Sequence, residues 1–272
     1  MPYMKFIKLL VKQAFPGKSW QRGRFFAIII FLSCIKGFAF QQSKPIPEDF
    51  VKGRQILKKV IEAAGGVEAF GKIDNFRIKT ESKIFGNRST IELTVSETVK
   101  LPDKTKQVFE LANGHRIQVL NGETGWSKTG EAVADLSNAE KREMKRGLFR
   151  DAINLFKRFN NDTELSVQYL RDEVVKTDTL FILIIKNGSG EFFKLYINSK
   201  SYLIEKKSYH GGGPEMVILA TLEEIYSDYR EVEGVKIPFH TVVKANGKKF
   251  IESSVVETEF NLELGEGFFV RE

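Results

Sequence analysis

The pattern of apolar positions predicts one N-terminal helix followed by a long series of strands. A helix is predicted over residues 48–64, because four apolar residues share one face at helical spacing: Phe50, Leu57, Ile61 and Ala64. Gly65-Gly66 predicts the end of that helix, and a short helical turn follows at residues 67–70. The chain then changes from helical to strand periodicity.

From Asn75 onward, apolar residues recur at every second position, which is typical of strands that bury one face. Turn pairs such as Asn121-Gly122 and Asn187-Gly188 separate these runs at short intervals. Sequential strands joined by short turns predict an antiparallel meander.

One helical insertion, over residues 137–160, interrupts the strands, and Ser137 and Glu140 begin it with capping-box spacing. Its second half carries a wide apolar stripe that includes Leu148, Phe149, Ile153, Phe156 and Phe159. The polar residues of this half are assigned to the opposite side: Arg150, Asp151, Asn154, Lys157 and Arg158. Two interpretations stay open, a fixed plug of core or a displaceable lid over an apolar cavity, because both require an apolar face.

The charge distribution divides the chain into a leader and a neutral remainder. The chain has 272 residues and a formal net charge of +7, and all the excess lies before Phe40, whereas the first acidic residue is Glu48. Nucleic-acid binding is therefore not expected of the remainder, because such binding needs a basic face that releases counterions. Basic residues on the insertion, such as Lys141, Arg142 and Lys145, are instead suited to contact with lipid head groups at a membrane surface.

The leader has the order of a secretory signal, with an uncharged apolar run at residues 25–35 behind a basic stretch. We expect a signal peptide over residues 1–39, a linker over residues 40–47 and one domain over residues 48–272. Two alternatives stay open: lipidation of Cys34, since Leu32-Ser33-Cys34 resembles a loose lipobox, and an uncleaved anchor. Cys34 is the single cysteine, so no disulfide or cysteine metal site is expected.

The chemistry of the remainder predicts neither an enzyme nor a bound metal or cofactor. The three histidines, His115, His210 and His240, are far apart in sequence and lack metal-ligand spacing. One acidic run is assigned to a solvated strand face: Glu223, Glu224, Asp228, Glu231 and Glu233. Only a buried carboxylate with a partner inside a cavity would indicate catalysis.

Four stretches, residues 64–73, 99–104, 121–126 and 226–239, resemble the exported lipoprotein-sorting superfamily of LolA-like and LolB-like proteins. The resemblance spans residues 50–264 and consists of turn and strand signatures. It implies a mainly β fold with helices, an incompletely closed antiparallel β-barrel of about eleven strands whose concave side the helices cap. It also implies an apolar cavity that receives a lipid or a lipoprotein acyl chain without covalent chemistry.

We therefore expect a protein of the periplasm or cell envelope that binds an acyl chain, for lipid or lipoprotein transfer to the outer membrane. The Leu148–Phe159 stripe is the candidate lid. The candidate cavity wall comprises Ile91, Leu93, Val95, Phe109, Leu111, Phe193, Leu195 and Ile197. The alternative is a non-enzymatic sensing or protein-interaction module that has the same fold and a filled core, with an envelope protein as partner. The oligomeric state is not predicted.

Overall fold

A computed structural model describes residues 46–86, 89–112, 114–211 and 220–271. The predicted signal peptide, Cys34 and most of the predicted linker lie outside the described residues. Within the described part of the chain, no helix combines the length and apolar character needed to span a membrane.

Four helices are described, and the sequence predicts where three of them begin. They are α1 (Glu48–Ala63), α2 (Val67–Gly71), α3 (Asn138–Arg150) and α4 (Ala152–Arg158). Gly65 and Gly66 follow α1 with φ of 136° and 91°, a left-handed backbone that glycine adopts without strain and that ends the helix. The capping box at α3 is present: Glu140 N–H donates to Ser137 Oγ (3.2 Å), and Ser137 N–H donates to Glu140 Oε2 (2.7 Å).

Thirteen strands form one antiparallel sheet, in the order β6-β5-β4-β3-β2-β1-β13-β12-β11-β10-β9-β8-β7. The strands before the insertion are β1 (Asn75–Phe85), β2 (Thr90–Lys100), β3 (Lys104–Leu111), β4 (Gly114–Asn121), β5 (Thr124–Thr129) and β6 (Ala132–Asp135). Those after it are β7 (Ser166–Val175), β8 (Asp178–Lys186), β9 (Phe192–Asn198), β10 (Ile204–Gly211), β11 (Ala220–Val232), β12 (Val235–Ala245) and β13 (Lys248–Phe260). The predicted meander is confirmed, with thirteen strands instead of about eleven.

The sheet is an incompletely closed barrel, because β6 and β7 end the strand order without pairing to each other among the described residues. Its two halves join where β13 pairs with β1, in a register that aligns Thr80 with Val255 and Ser82 with Ser253. Helices α3 and α4 lie in the connection between the two edge strands. The same connection therefore links the edges and supplies the cover of the inner face.

The predicted single helix of residues 137–160 is two helices. Asp151 has an extended backbone (φ −65°, ψ 131°), so it ends α3 and also begins α4, where its side chain accepts from the N–H of Asn154. The break turns α4 against α2, and the rings of Phe70 and Phe156 meet edge to face at 5.0 Å. Helical periodicity did not reveal the break because the apolar spacing continues through it.

Helix α1 packs against the edge strand β7 at a distance that only glycine permits. A Cβ atom on Gly53 would lie 2.7 Å from the carbonyl oxygen of Val167 and 2.8 Å from the amide nitrogen of Tyr169. The buried residues of α1 lie on the same side: Ile56, Leu57, Val60 and Ile61. The helix thereby shields one edge of the sheet from pairing with another strand.

The C-terminal segment forms a second, smaller apolar cluster on the other half of the sheet. Phe269 packs with Val119 and Trp126, and the indole N–H of Trp126 faces the carbonyl oxygen of Phe269 at 3.5 Å. Asn75 holds the start of this segment, because its side chain both accepts from the N–H of Leu262 (2.8 Å) and donates to the Leu262 carbonyl oxygen (3.1 Å).

We expect Gly53→Ala to destabilise the fold by about 1–2 kcal/mol, because steric overlap with the β7 backbone outweighs the gain in helix propensity. Gly147→Ala in α3 is the matched control, since a Cβ there meets nothing within 4 Å. It should be neutral or stabilising by up to about 1 kcal/mol. Urea unfolding measures both, and equal stability of the two variants would contradict the close packing of α1 on β7.

Candidate functional site: a cavity beneath the helices

A cavity of about 410 Å³ lies between the helices and the inner face of the sheet. Its apolar wall is contributed by every helix and by both halves of the sheet, and includes Val60, Phe70, Val99, Leu148, Ile153, Phe156, Phe193, Leu195 and Ile237. Its volume falls within the range of about 300–1,000 Å³ that is usual for small-molecule sites. The face of the sheet that lines this cavity is called the inner face. The helices cover the inner face without filling the space above it.

The eight predicted wall residues lie on the inner face but at different places. Phe193 and Leu195 line the cavity, and Ile197 is fully buried in the same core cluster. Strand alternation puts the other five on the face of Glu97 and Val99, with Val95 opposite Phe109. These five are half-buried and lie outside the cavity lining: Ile91, Leu93, Val95, Phe109 and Leu111. The structure thus brings two of the eight residues to the cavity.

The predicted lid residues of α3 and α4 are all buried. Three of them line the cavity: Leu148, Ile153 and Phe156. Phe149 instead packs edge to face on Phe193 at 5.2 Å, and Phe159 lies under the guanidinium of Arg54 at 4.6 Å. Leu155, outside the predicted set, also lines the cavity. The helices are therefore in contact with the sheet in the described conformation.

Polar contacts fasten the break between α3 and α4 to the sheet. The Lys207 ammonium donates to the carbonyl oxygen of Arg150 at 3.2 Å, and the Arg150 guanidinium lies 4.0 Å from the ring centre of Tyr209. Asn154 is 4% exposed and donates to the carbonyl oxygens of Pro102 (3.1 Å) and Leu148 (3.0 Å). Displacing the helices would require the bonds to Lys207 and Pro102 to break.

The prediction that Arg150, Asp151 and Asn154 lie on the solvent side is wrong. Arg150 and Asp151 line the cavity, and Asn154 is buried. The physical reason is the break at Asp151, which reorients α4 relative to α3 and directs both the apolar stripe and these polar groups inward.

The assignment of Glu224 to a solvated strand face is also wrong. Glu224 faces the cavity and forms an ion pair with Lys207 at 2.9 Å. Tyr209 and Tyr226 donate their hydroxyls to the two oxygens of its carboxylate, at 2.8 Å and 2.5 Å. Strand alternation could have indicated the burial of Glu224. Leu222 and Tyr226 lie on the same face of β11 as Glu224, and both residue types favour burial.

The environment of Glu224 keeps it ionised. Burial alone would raise the pKa of this carboxyl, but the charge of Lys207 and the hydroxyls of Tyr226 and Tyr209 outweigh burial and hold the pKa below its usual value. Burial and the charge of Glu224 raise the pKa of both tyrosines. Glu224, Lys207, Tyr209 and Tyr226 thus form a closed polar cluster in which each charge is compensated.

Two further carboxyls line the cavity, those of Glu97 and Asp151. Glu97 of β2 accepts from Thr105 Oγ1 (3.0 Å) and Gln107 Nε2 (2.9 Å), both at its Oε1. The pKa of Asp151 is raised to about 6, chiefly by burial and then by the charge of Glu97, against the N–H of Asn154 and the charge of Lys207. The described residues contain no group of three or more His, Cys, Asp or Glu side chains that could hold a metal ion.

Comparison with solved structures supports the architecture. A LolA superfamily protein from Nitrosomonas europaea is similar over 78% of this chain and 96% of its own, with a TM-score of 0.54 and 12% identity. A DUF1329 family protein from Desulfovibrio piger is similar over 82% and 98%, with a TM-score of 0.58 and 11% identity.

A putative outer membrane lipoprotein-sorting protein domain from Vibrio parahaemolyticus is similar over 81% of this chain and 97% of its own, with a TM-score of 0.53 and 13% identity. No family model and no curated protein matches the sequence. The chain has the fold of LolA superfamily proteins. At these identities the likeness concerns the fold alone. This likeness confirms the architecture expected from the sequence.

We expect Glu224→Gln to destabilise the protein by about 2–3 kcal/mol, because it leaves the Lys207 ammonium buried without a counter-charge. Glu223→Gln is the matched control on the neighbouring position of β11, where the Lys206 pair (2.8 Å) is more exposed. It should cost less than about 1 kcal/mol. Thermal and urea unfolding compare the two, and an equal loss would contradict the buried cluster.

Proposed function

We propose that this chain is an exported cell-envelope protein that binds a lipid, or the acyl chain of a lipoprotein, in the cavity beneath α3 and α4. The bound chain would be carried or received without covalent chemistry, in lipid or lipoprotein transfer toward the outer membrane. The observation that carries the proposal is the cavity of about 410 Å³ with apolar walls from both the helices and the sheet.

The energetics suit an acyl chain. Each CH₂ group removed from water contributes about 0.8 kcal/mol, so even a short chain in this cavity is a substantial ligand. Rings and branched side chains surround the space, among them Phe70, Phe156, Phe193, Ile153 and Leu195. Release would require the helices to reoccupy the surface that the chain covers.

The leader supports export. Its basic stretch and apolar run have the order of a secretory signal, and the candidate lipidation site at Cys34 would anchor the domain at a membrane. The Vibrio parahaemolyticus domain that shares this fold is named for outer membrane lipoprotein sorting. Location in the periplasm or cell envelope is part of the proposal.

A binding role is favoured over catalysis by the state of Glu224, the cavity carboxylate that has a charged partner. Glu224 already accepts from Lys207 and two tyrosine hydroxyls, and its lowered pKa makes it a poor proton acceptor near neutral pH. The alternative of an interaction module with a filled core is less favoured, because the interior contains a cavity.

Filling the cavity should abolish lipid uptake. Val255 of β13 lines the cavity, whereas Val256, the next residue, is 49% exposed and is not part of the cavity lining. We expect Val255→Trp to weaken binding of a fluorescent fatty-acyl probe by about tenfold or more, because the indole occupies the space of the chain. Val256→Trp should bind the probe as the parent protein does.

Circular dichroism melting serves as the control for folding of both variants. The proposal would be contradicted if the parent protein took up no acyl probe. Equal uptake by a folded Val255→Trp variant and by Val256→Trp would also contradict it, because the probe would then bind outside the cavity.

A further inference from the structure

The cavity has a polar end as well as apolar walls. Five of its polar lining residues come from the break between α3 and α4 and from four strands: Asp151 from the break, Glu97 and Gln107 from β2 and β3, and Lys207 and Glu224 from β10 and β11. Lys207 reaches the break itself, because its ammonium donates to the carbonyl oxygen of Arg150, the residue before Asp151, at 3.2 Å. A purely hydrocarbon ligand would leave this end without a partner.

The cations next to the break between α3 and α4 are already paired, whereas Lys236, which also lines the cavity, is exposed to solvent. The Arg150 and Lys207 side chains form ion pairs at 2.6 Å and 2.9 Å, and Arg158 forms a longer one at 3.5 Å. Each has an acidic partner of its own: Glu143 for Arg150, Glu224 for Lys207 and Asp162 for Arg158. An incoming anion would have to compete with these partly buried carboxylates, which makes an anionic head group unfavourable.

Two carboxyls remain without a cation of their own. Neither Glu97 nor Asp151 forms an ion pair with a Lys or Arg among the described residues, and Glu97 receives both of its hydrogen bonds at Oε1. Thr105 and Gln107 hold the Glu97 carboxylate in place, so this acceptor is preorganised before a ligand arrives. The two acids repel each other, and a bound cation would relieve that repulsion.

We propose that the cavity selects an amphiphile with a primary ammonium group, which Glu97 and Asp151 bind while the apolar walls cover its chain. This rests on the proposed lipid-binding function and adds the chemistry of the head group. The ammonium has three donors, which suit the two carboxylates and the side-chain oxygen of Gln107. The Glu224 cluster, whose charges are already paired, lines the same cavity.

Three ten-carbon probes that differ only in their polar group test the inference: decylamine, decanol and decanoate at about pH 7, where the amine is charged and the acid ionised. Calorimetry or displacement of a neutral acyl fluorophore gives their affinities. We expect decylamine to bind about tenfold more tightly than decanol, and decanoate to bind most weakly.

The Glu97→Gln variant should lose the preference for decylamine while it binds decanol normally, because the amide still accepts from Thr105. Glu92→Gln is the control on the same strand, since Glu92 is exposed and pairs with Lys83 on the outer face. It should keep the preference. Butylamine distinguishes an amphiphile site from a site for free amines, and we expect it to bind far more weakly than decylamine.

Decanoate that binds as tightly as decylamine would overturn the inference, as would a preference that survives Glu97→Gln or butylamine that binds as well as decylamine. If decanol binds but decylamine gains nothing over it, the ammonium inference fails and the lipid-binding proposal stands. If none of the ten-carbon probes binds, both fail together.

Discussion

The unpaired edges of one large sheet determine the architecture of this protein. Thirteen antiparallel strands curve far enough to enclose an interior, yet β6 and β7 do not pair with each other among the described residues, so strand pairing does not seal the inner face. A sheet with one apolar face requires a second layer, and here α1 shields one edge while α3 and α4 cover the opening. The helices cover the inner face without filling it, which leaves the cavity.

Burial of charge beneath the helices is the second feature of the interior, and it is tolerated because the charges are compensated. Glu224 has an ion pair and two hydroxyl donors, and the bond from Lys207 to the Arg150 carbonyl ties this cluster to the helical cover. The cover therefore rests on apolar contacts, such as Phe70 with Phe156, and on polar ones. Glu97 and Asp151 are the exceptions, since they face the space without a cation among the described residues.

The sequence predicted the parts of this structure that depend on local periodicity. Alternation identified the strands and put Phe193 and Leu195 on the inner face, and Ser137 with Glu140 marked the start of α3. The break at Asp151 was missed because one extended residue does not disturb the apolar spacing on either side. Which inner-face residues lie under the helices depends on how residues distant in sequence pack, so Ile91 and Leu93 could not be separated from Leu195.

The environment of Glu224 likewise could not be predicted from local sequence pattern. In sequence it stands in an acidic run, and its burial follows from pairing with β10 beside Lys207, a residue that local pattern does not connect to it. The helices alone likewise gave no distinction between core and lid, because an apolar stripe is needed in both cases. The cavity between helices and sheet is a property of the assembled fold.

Native mass spectrometry of the protein purified from the envelope of its own cells tests the central claim most directly. The account predicts a population that carries one non-covalent lipid, which is absent from a Val255→Trp preparation and is released as a single class of amphiphile on denaturation. A folded protein recovered without any bound lipid, and unable to acquire one from envelope lipid extract, would contradict the claim that the cavity is a lipid site.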